Sequence, residues 1–149
     1  MDYKTQNEEL NKAVYNLFNG KTIMERAKAA NHLGYLKDAR AINSLAKALN
    51  SEKDQVVINR IIEAMGEIKN AKATMLIVKI LKQELKLPEE NQDKQRLFLI
   101  IESLMKIGDK RALEHIGILL NSCYEDIRKL TSEAFECIDP KWKENLKKS

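Results

Sequence analysis

HLGYLKDARAINSLAKALN, from His32 to Asn50, aligns without a gap with AMGEIKNAKATMLIVKILK, from Ala64 to Lys82, and with SLMKIGDKRALEHIGILLN, from Ser103 to Asn121. The copies begin 32 and then 39 residues apart, and a partial fourth, EAFECIDPKW, follows 31 residues on. The extra seven residues fall in the loop-like stretch KLPEENQDK, Lys86 to Lys94, which predicts a tolerant surface loop there. Leu33, Met65, Leu104 and Phe135 share one column, and Leu36, Ile68, Ile107 and Ile138 another. Leu45, Ile77 and Ile116 align further on, as do Leu49, Leu81 and Leu120. Spacings of three and four put each set on one face of a helix. Between the two sets lies a turn with Asp38, Asn70 or Asp109, residue types whose side-chain oxygens cap free helix N–H groups. The chain is therefore a repeat array of helix, turn and helix, roughly 35 residues to the unit.

This reading sets the boundaries. First helices are expected at Thr22–Leu36, Gln55–Ile68, Lys94–Ile107 and Ile127–Ile138. Second helices are expected at Ala39–Asn50, Ala71–Leu87, Lys110–Asn121 and Pro140–Lys148. Thr22 with Glu25 reads as a capping box, and Asp139-Pro140 as a cap followed by the helix position that suits proline. Ahead of them, Glu8–Asn19 reads as a lone amphipathic helix ending at Gly20. The whole chain, 1–149, is expected to form one domain: an N-terminal capping helix within 1–20, then units 22–50, 55–87, 94–121 and 127–148. No strand pattern competes.

ERAKAANHLGYLKDARAI resembles the first helix and turn of HEAT-like repeats, with Arg26, Ala29, Leu33, Gly34, Asp38 and Arg40 on the family pattern. IRKLTSEAFECI resembles the same helix in the fourth copy. The likeness is to the short bacterial and archaeal variety, also found in phycobilin lyases, and runs from about Thr22 to Lys148. It implies an all-α, right-handed α-solenoid of about four helix-turn-helix units plus an N-terminal half-unit. It also implies that second helices line the concave side. The function classes it covers are broad, from scaffolds to lyases and DNA-repair proteins.

Composition narrows the class further. Hydrophobic residues make up 44% of the 149 and aromatics only 5%, so the core has to be aliphatic. Five Gly and two Pro exclude collagenous, turn-rich all-β and low-complexity chains. With 26 basic and 22 acidic residues, the net +4 permits an anionic partner without demanding one. Charges interrupt every apolar stretch before the ~18 residues of a membrane span. The opening MDYKTQNEEL has neither a basic nor an apolar leader region, so a cytoplasmic location is expected. Cys123 and Cys137 are too few for a disulfide framework and are read as free thiols.

No catalytic constellation assembles from these residues, and no enzyme activity, cofactor or metal is expected. His32 shares its column with Ala64, Ser103 and Ala134, which predicts a buried position for it, while His115 sits where solvent is accessible. Neither has zinc or iron ligands at helical spacing. The di-iron site of the HEAT-like deoxyhypusine hydroxylases needs paired His-Glu dipeptides, and Glu114-His115 is reversed and single. Five scattered glycines make no phosphate loop.

Two rows of charge remain. Arg40, Lys72 and Arg111 open the second helices, where a cation opposes the helix dipole by about 0.3–1 kcal/mol. Bridges from each to an acidic or amide cap in a neighbouring repeat are expected to offset that cost. Lys47 aligns with Lys79, and Lys79 with Lys82 and Lys86 shares one face. Met75 and Ile118 fall on the same outward columns, and His115 shares a second-helix column with Ser44 and Leu76, although a segment as apolar as TMLIVKIL can also bury its methionine. The expected function is a non-catalytic scaffold that binds a protein, an acidic segment in particular, through Arg40, Lys47, Lys72, Met75, Lys79, Lys82, Arg111, His115 and Ile118. Rivals are a nucleic-acid-binding HEAT-like module, against which the absence of aromatics on the second helices counts, and a bilin-lyase-like subunit acting with a partner chain.

Overall fold

The computed structural model describes residues 2–148, and among them there is no strand. The helices are α1 (Tyr3–Asn19), α2 (Ile23–Leu36), α3 (Ala41–Ser51), α4 (Gln55–Ile68), α5 (Thr74–Leu85), α6 (Lys94–Ile107), α7 (Leu113–Ile116), α8 (Glu125–Ile138) and α9 (Trp142–Lys148). Short 3-10 turns lie at Ala71–Ala73, Glu89–Asn91, Lys110–Ala112 and Gly117–Asn121. The chain divides into two compact units, Met1–Ala73 and Thr74–Ser149.

In the first unit α2 and α4 pack along each other, α1 covers α2 and α3, and α3 packs on α4. Leu33, Leu45, Ile61, Ile62 and Met65 are fully buried there, as the column pattern requires. The α2–α4 approach is set by a glycine. A Cβ on Gly34 would lie 2.9 Å from the Cα of Ala64, so a hydrogen atom is all that fits. Arg26 fastens the other end of α2, donating from Nε to Glu52 Oε2 at 2.8 Å and from Nη1 to the Gly20 carbonyl at 3.1 Å. Its column partner Arg128 does the same to the Ser122 carbonyl at 2.6 Å. The helix start differs in detail from a capping box. Thr22 Oγ1 accepts from the Glu25 N–H at 3.1 Å, but Glu25 reaches back to the Lys21 N–H, at 2.7 Å, rather than to Thr22.

In the second unit α6 packs between α5 and α8, and α8 also covers Gly117–Asn121. Ile77, Leu81, Leu97, Ile100, Ile101, Leu104, Ile116 and Ile127 form its core. Three expectations need correction. The second helix expected at Lys110–Asn121 is not continuous: a 3-10 turn, the four residues of α7 and a second 3-10 turn replace it. Gly117, which costs about 1 kcal/mol in a helix interior relative to alanine, stands where α7 gives way to the second turn. The loop Lys86–Lys94 is exposed but tied down at its end. Asp93 caps α6 by accepting from the Arg96 N–H at 3.1 Å, and its own N–H donates to the buried Glu84 carboxylate at 2.9 Å. Finally, α1 begins five residues earlier than expected, at Tyr3, where Asp2 accepts from the Thr5 N–H.

The four turns within the repeat units share one construction. The carbonyls of Asp38, Asn70, Asp109 and Asp139 accept from the N–H of Ala41, Ala73, Ala112 and Trp142 at 2.9–3.0 Å. Their side-chain oxygens accept from the N–H of Arg40, Lys72, Arg111 and Lys141. In the first three turns the residue before the cap is left-handed: Lys37 at φ 53°, Lys69 at φ 59° and Gly108 at φ 76°. The fourth turn lacks that residue and passes straight from Ile138 to Asp139, in extended backbone.

Candidate functional site

The basic row at the second-helix starts is neutralised, by a route shorter than expected. Arg40 forks onto Asp38 within its own turn, Nη2 to Oδ2 at 2.6 Å and Nε to Oδ1 at 3.0 Å. Arg111 repeats the geometry on Asp109, at 2.6 Å for Nη2 to Oδ2. The neutralising carboxylate is the one in the same turn rather than one in a neighbouring repeat, because a residue two positions on already lies within guanidinium reach. Arg40 also reaches another helix, donating from Nη1 to Asn7 Oδ1 on α1 at 2.8 Å. Lys72 differs from both. Asn70 supplies its backbone cap but no charge, and no ion pair holds the Lys72 ammonium among the described residues.

The Arg111 guanidinium, with its backbone N–H, holds the Asp109 carboxyl down from 3.8 to about 2, against the opposing effect of burial. A carboxylate depressed in the folded state stabilises the fold above its unfolded value near 3.8, and that contribution is lost as pH falls towards 2. With Arg111 more than half exposed to screening solvent, the loss should be no more than about 2 kcal/mol. Urea midpoints measured between pH 5 and pH 2 should fall less steeply in Asp109→Asn than in the parent chain. Identical slopes would mean the pair does not carry the acid sensitivity.

On α5 the outward residues form one stripe. Met75, Lys79 and Lys82 are all exposed at i, i+4 and i+7, with Ile77, Val78, Ile80 and Leu81 buried behind them. Met75 is 42% exposed, so it is not a core residue. Further along the same unit, Ile118 is 64% exposed, and His115 is half-buried with Nε2 3.3 Å from Glu114 Oε1. In the first unit Lys47 is exposed on α3. Lys47, Lys79 and Lys82 have no ion-pair partner among the described residues.

His32 is a correction. It is exposed, with Nε2 3.5 Å from Glu9 Oε2 on α1, not buried like its column partners. Ala64 owes its burial to Gly34 of the preceding first helix, and α2 has no first helix before it. Both thiols are exposed and unpaired by disulfide. The Glu89 carboxylate beside Cys123 pushes that thiol above its usual range, the reverse of what a nucleophile requires. Among the described residues no group of His, Cys, Asp and Glu is arranged to hold a metal ion. No helix is long and apolar enough to cross a membrane.

Several surface features escaped the sequence reading. Tyr35 is 80% exposed and lines an open groove of about 750 Å³ with Gln6, Asn31, Lys37 and Glu67. Tyr15 and Phe18 are exposed on α1. The left-handed Lys37 and Lys69 were signalled only by the glycine in their column, Gly108.

Comparison with known proteins bears on the fold first. No curated protein sequence matches the chain. Among solved structures, a chain in the complex of CpcE and CpcF of phycocyanin lyase from Nostoc sp. PCC7120 is similar, with a TM-score of 0.73 at 18% identity. The similarity covers 92% of this chain and 56% of that one, so this chain spans little more than half its length. At that identity the likeness is one of fold: a HEAT-like α-solenoid. A family model of HEAT repeats matches residues 11–86, half of the sequence, and the chain belongs to that family.

Proposed function

We propose that this chain is a non-catalytic scaffold that binds an acidic, partly apolar segment of another protein along the second-helix face of its second unit. The observation that carries the reading is the α5 stripe, an exposed methionine in line with two lysines that no carboxylate of the described chain neutralises. Apolar anchors supply most of the affinity of such surfaces, and like charges around them steer the encounter. Ile118, beyond α7 in the same unit, is a second exposed apolar side chain. The similar solved chain lies in a complex of two proteins, in keeping with a protein partner. Arg40 and Arg111 drop out as receptors, since their forks are filled by Asp38 and Asp109.

Lys79→Glu with Lys82→Glu should leave the helical circular dichroism unchanged, because exposed charges contribute little to stability. Binding of the partner recovered from the native host by affinity capture should weaken by about tenfold or more and lose its salt dependence. Unchanged affinity of the double variant at low salt would place the partner elsewhere.

A further inference from the structure

The turn edge of the first unit carries three lysines with no counter-ion, and two of them sit where the backbone favours glycine. Lys37 and Lys69 end α2 and α4 in the left-handed conformation, at φ 53° and 59°, while the third repeat places Gly108 there. For a residue with a Cβ that conformation is disfavoured. The helix dipole accounts for a cation at a helix C-terminus but not for Lys72, which stands at the start of the 3-10 turn, where the dipole opposes it. At that turn Asn70 replaces the aspartate that neutralises Arg40 and Arg111 in the other two. All three lysines are exposed, and none has an ion pair among the described residues.

Their placement follows from the packing. α2 and α4 are helices of 14 residues in matching register, pressed together near their C-terminal ends at Gly34 and Ala64. Lys37 and Lys69 therefore sit about one helix-packing distance apart, 8–10 Å. The turn bearing Lys72 packs on α3. We infer that this edge binds an extended acidic peptide segment, an inference that does not rest on the α5 stripe. In an extended chain of polyproline II type, residues three apart share one face about 9 Å apart, which matches the lysine spacing. Nucleic acid fits less well. Of two rings at this edge, Tyr3 is covered by the Arg40 guanidinium, 5.8 Å from its centroid, which leaves Tyr35 to stack, where sequence-tolerant strand binding stacks successive bases.

The test uses the full chain with an oligo-glutamate peptide, read by anisotropy of the labelled peptide and by backbone amide shifts. Shifts at 37–40 and 69–72 report this edge, and shifts along α5 report the proposed partner face, so the two readings fail separately. Lys69→Glu with Lys72→Glu should weaken the peptide bound at the turn edge about tenfold. Lys21→Glu with Lys53→Glu, the same charge change at exposed loop positions of the same unit, should change it less than about twofold. Lys37→Gly with Lys69→Gly should also weaken binding, yet without lowering the melting temperature, which separates lysines kept for charge from lysines kept for the fold. Equal weakening by the control pair overturns the inference, as does an absence of shifts at the turns. Tighter binding of a single-stranded oligonucleotide with the same footprint overturns the choice of ligand.

Discussion

Ending the chain at Ser122 is expected to leave the second unit unable to hold its fold. The removed segment includes α8, which packs on both α6 and Gly117–Asn121. Ile127, Phe135 and Ile138 go with it, all buried, and each is worth roughly 1.5–3 kcal/mol when fully removed from water. The loss, about 5–9 kcal/mol before any cavity effect, compares with a total stability of about 5–15 kcal/mol for a domain of this size. The surfaces they covered, Ile116 and Leu119 among them, would then face water or another chain. Thermal unfolding followed by circular dichroism should show lost helix or aggregation. A truncated chain that stays monomeric with an unchanged melting temperature would contradict the stacking of repeats as the source of stability.

Leu33→Ala and Leu104→Ala should each cost about 2–5 kcal/mol, the range for emptying a packed leucine site. Both side chains are completely buried, one in each unit, in the same column of the repeat. Glu90→Ala, in the exposed turn Glu89–Asn91, should stay within about 0.5 kcal/mol. Asp93→Ala, only three residues further on, should cost about 1 kcal/mol, because Asp93 caps α6. Urea denaturation of the four variants measures the series directly. Similar losses at Leu33 and Glu90 would refute the assignment of core and loop.

The parts of this fold that were legible in the sequence are those that every copy repeats. Leu33, Met65 and Leu104 are each completely buried because the same helix face meets the same kind of neighbour in each copy. The turn caps Asp38, Asn70 and Asp109 were legible for the same reason. What the columns could not carry is what differs at an end or within a turn. His32 was assigned the burial of its aligned residues, but no first helix precedes α2 to cover it. The forks of Arg40 and Arg111 depend on a reach of two residues, which alignment between copies does not display. Exposure of Met75 was undecidable from TMLIVKIL, since an apolar helix gives no sign of which side its neighbours leave open. The candidate site was thus half legible: the α5 lysines from periodicity, the left-handed lysines only from a glycine in another copy.

The hydrogen-only gap at Gly34 has a consequence for how such an array can grow. In the aligned column the second copy also has glycine, Gly66, but the third has Met105 and the fourth Glu136. A gene rearrangement that set the third copy in place of the first would drive a methionine side chain into the Ala64 backbone. Modules of this chain are copies in outline and yet not interchangeable parts. Lengthening by duplication, in nature or at the bench, has its template in the copy that begins at His32, whose descendants would inherit the narrow spacing along with the glycine.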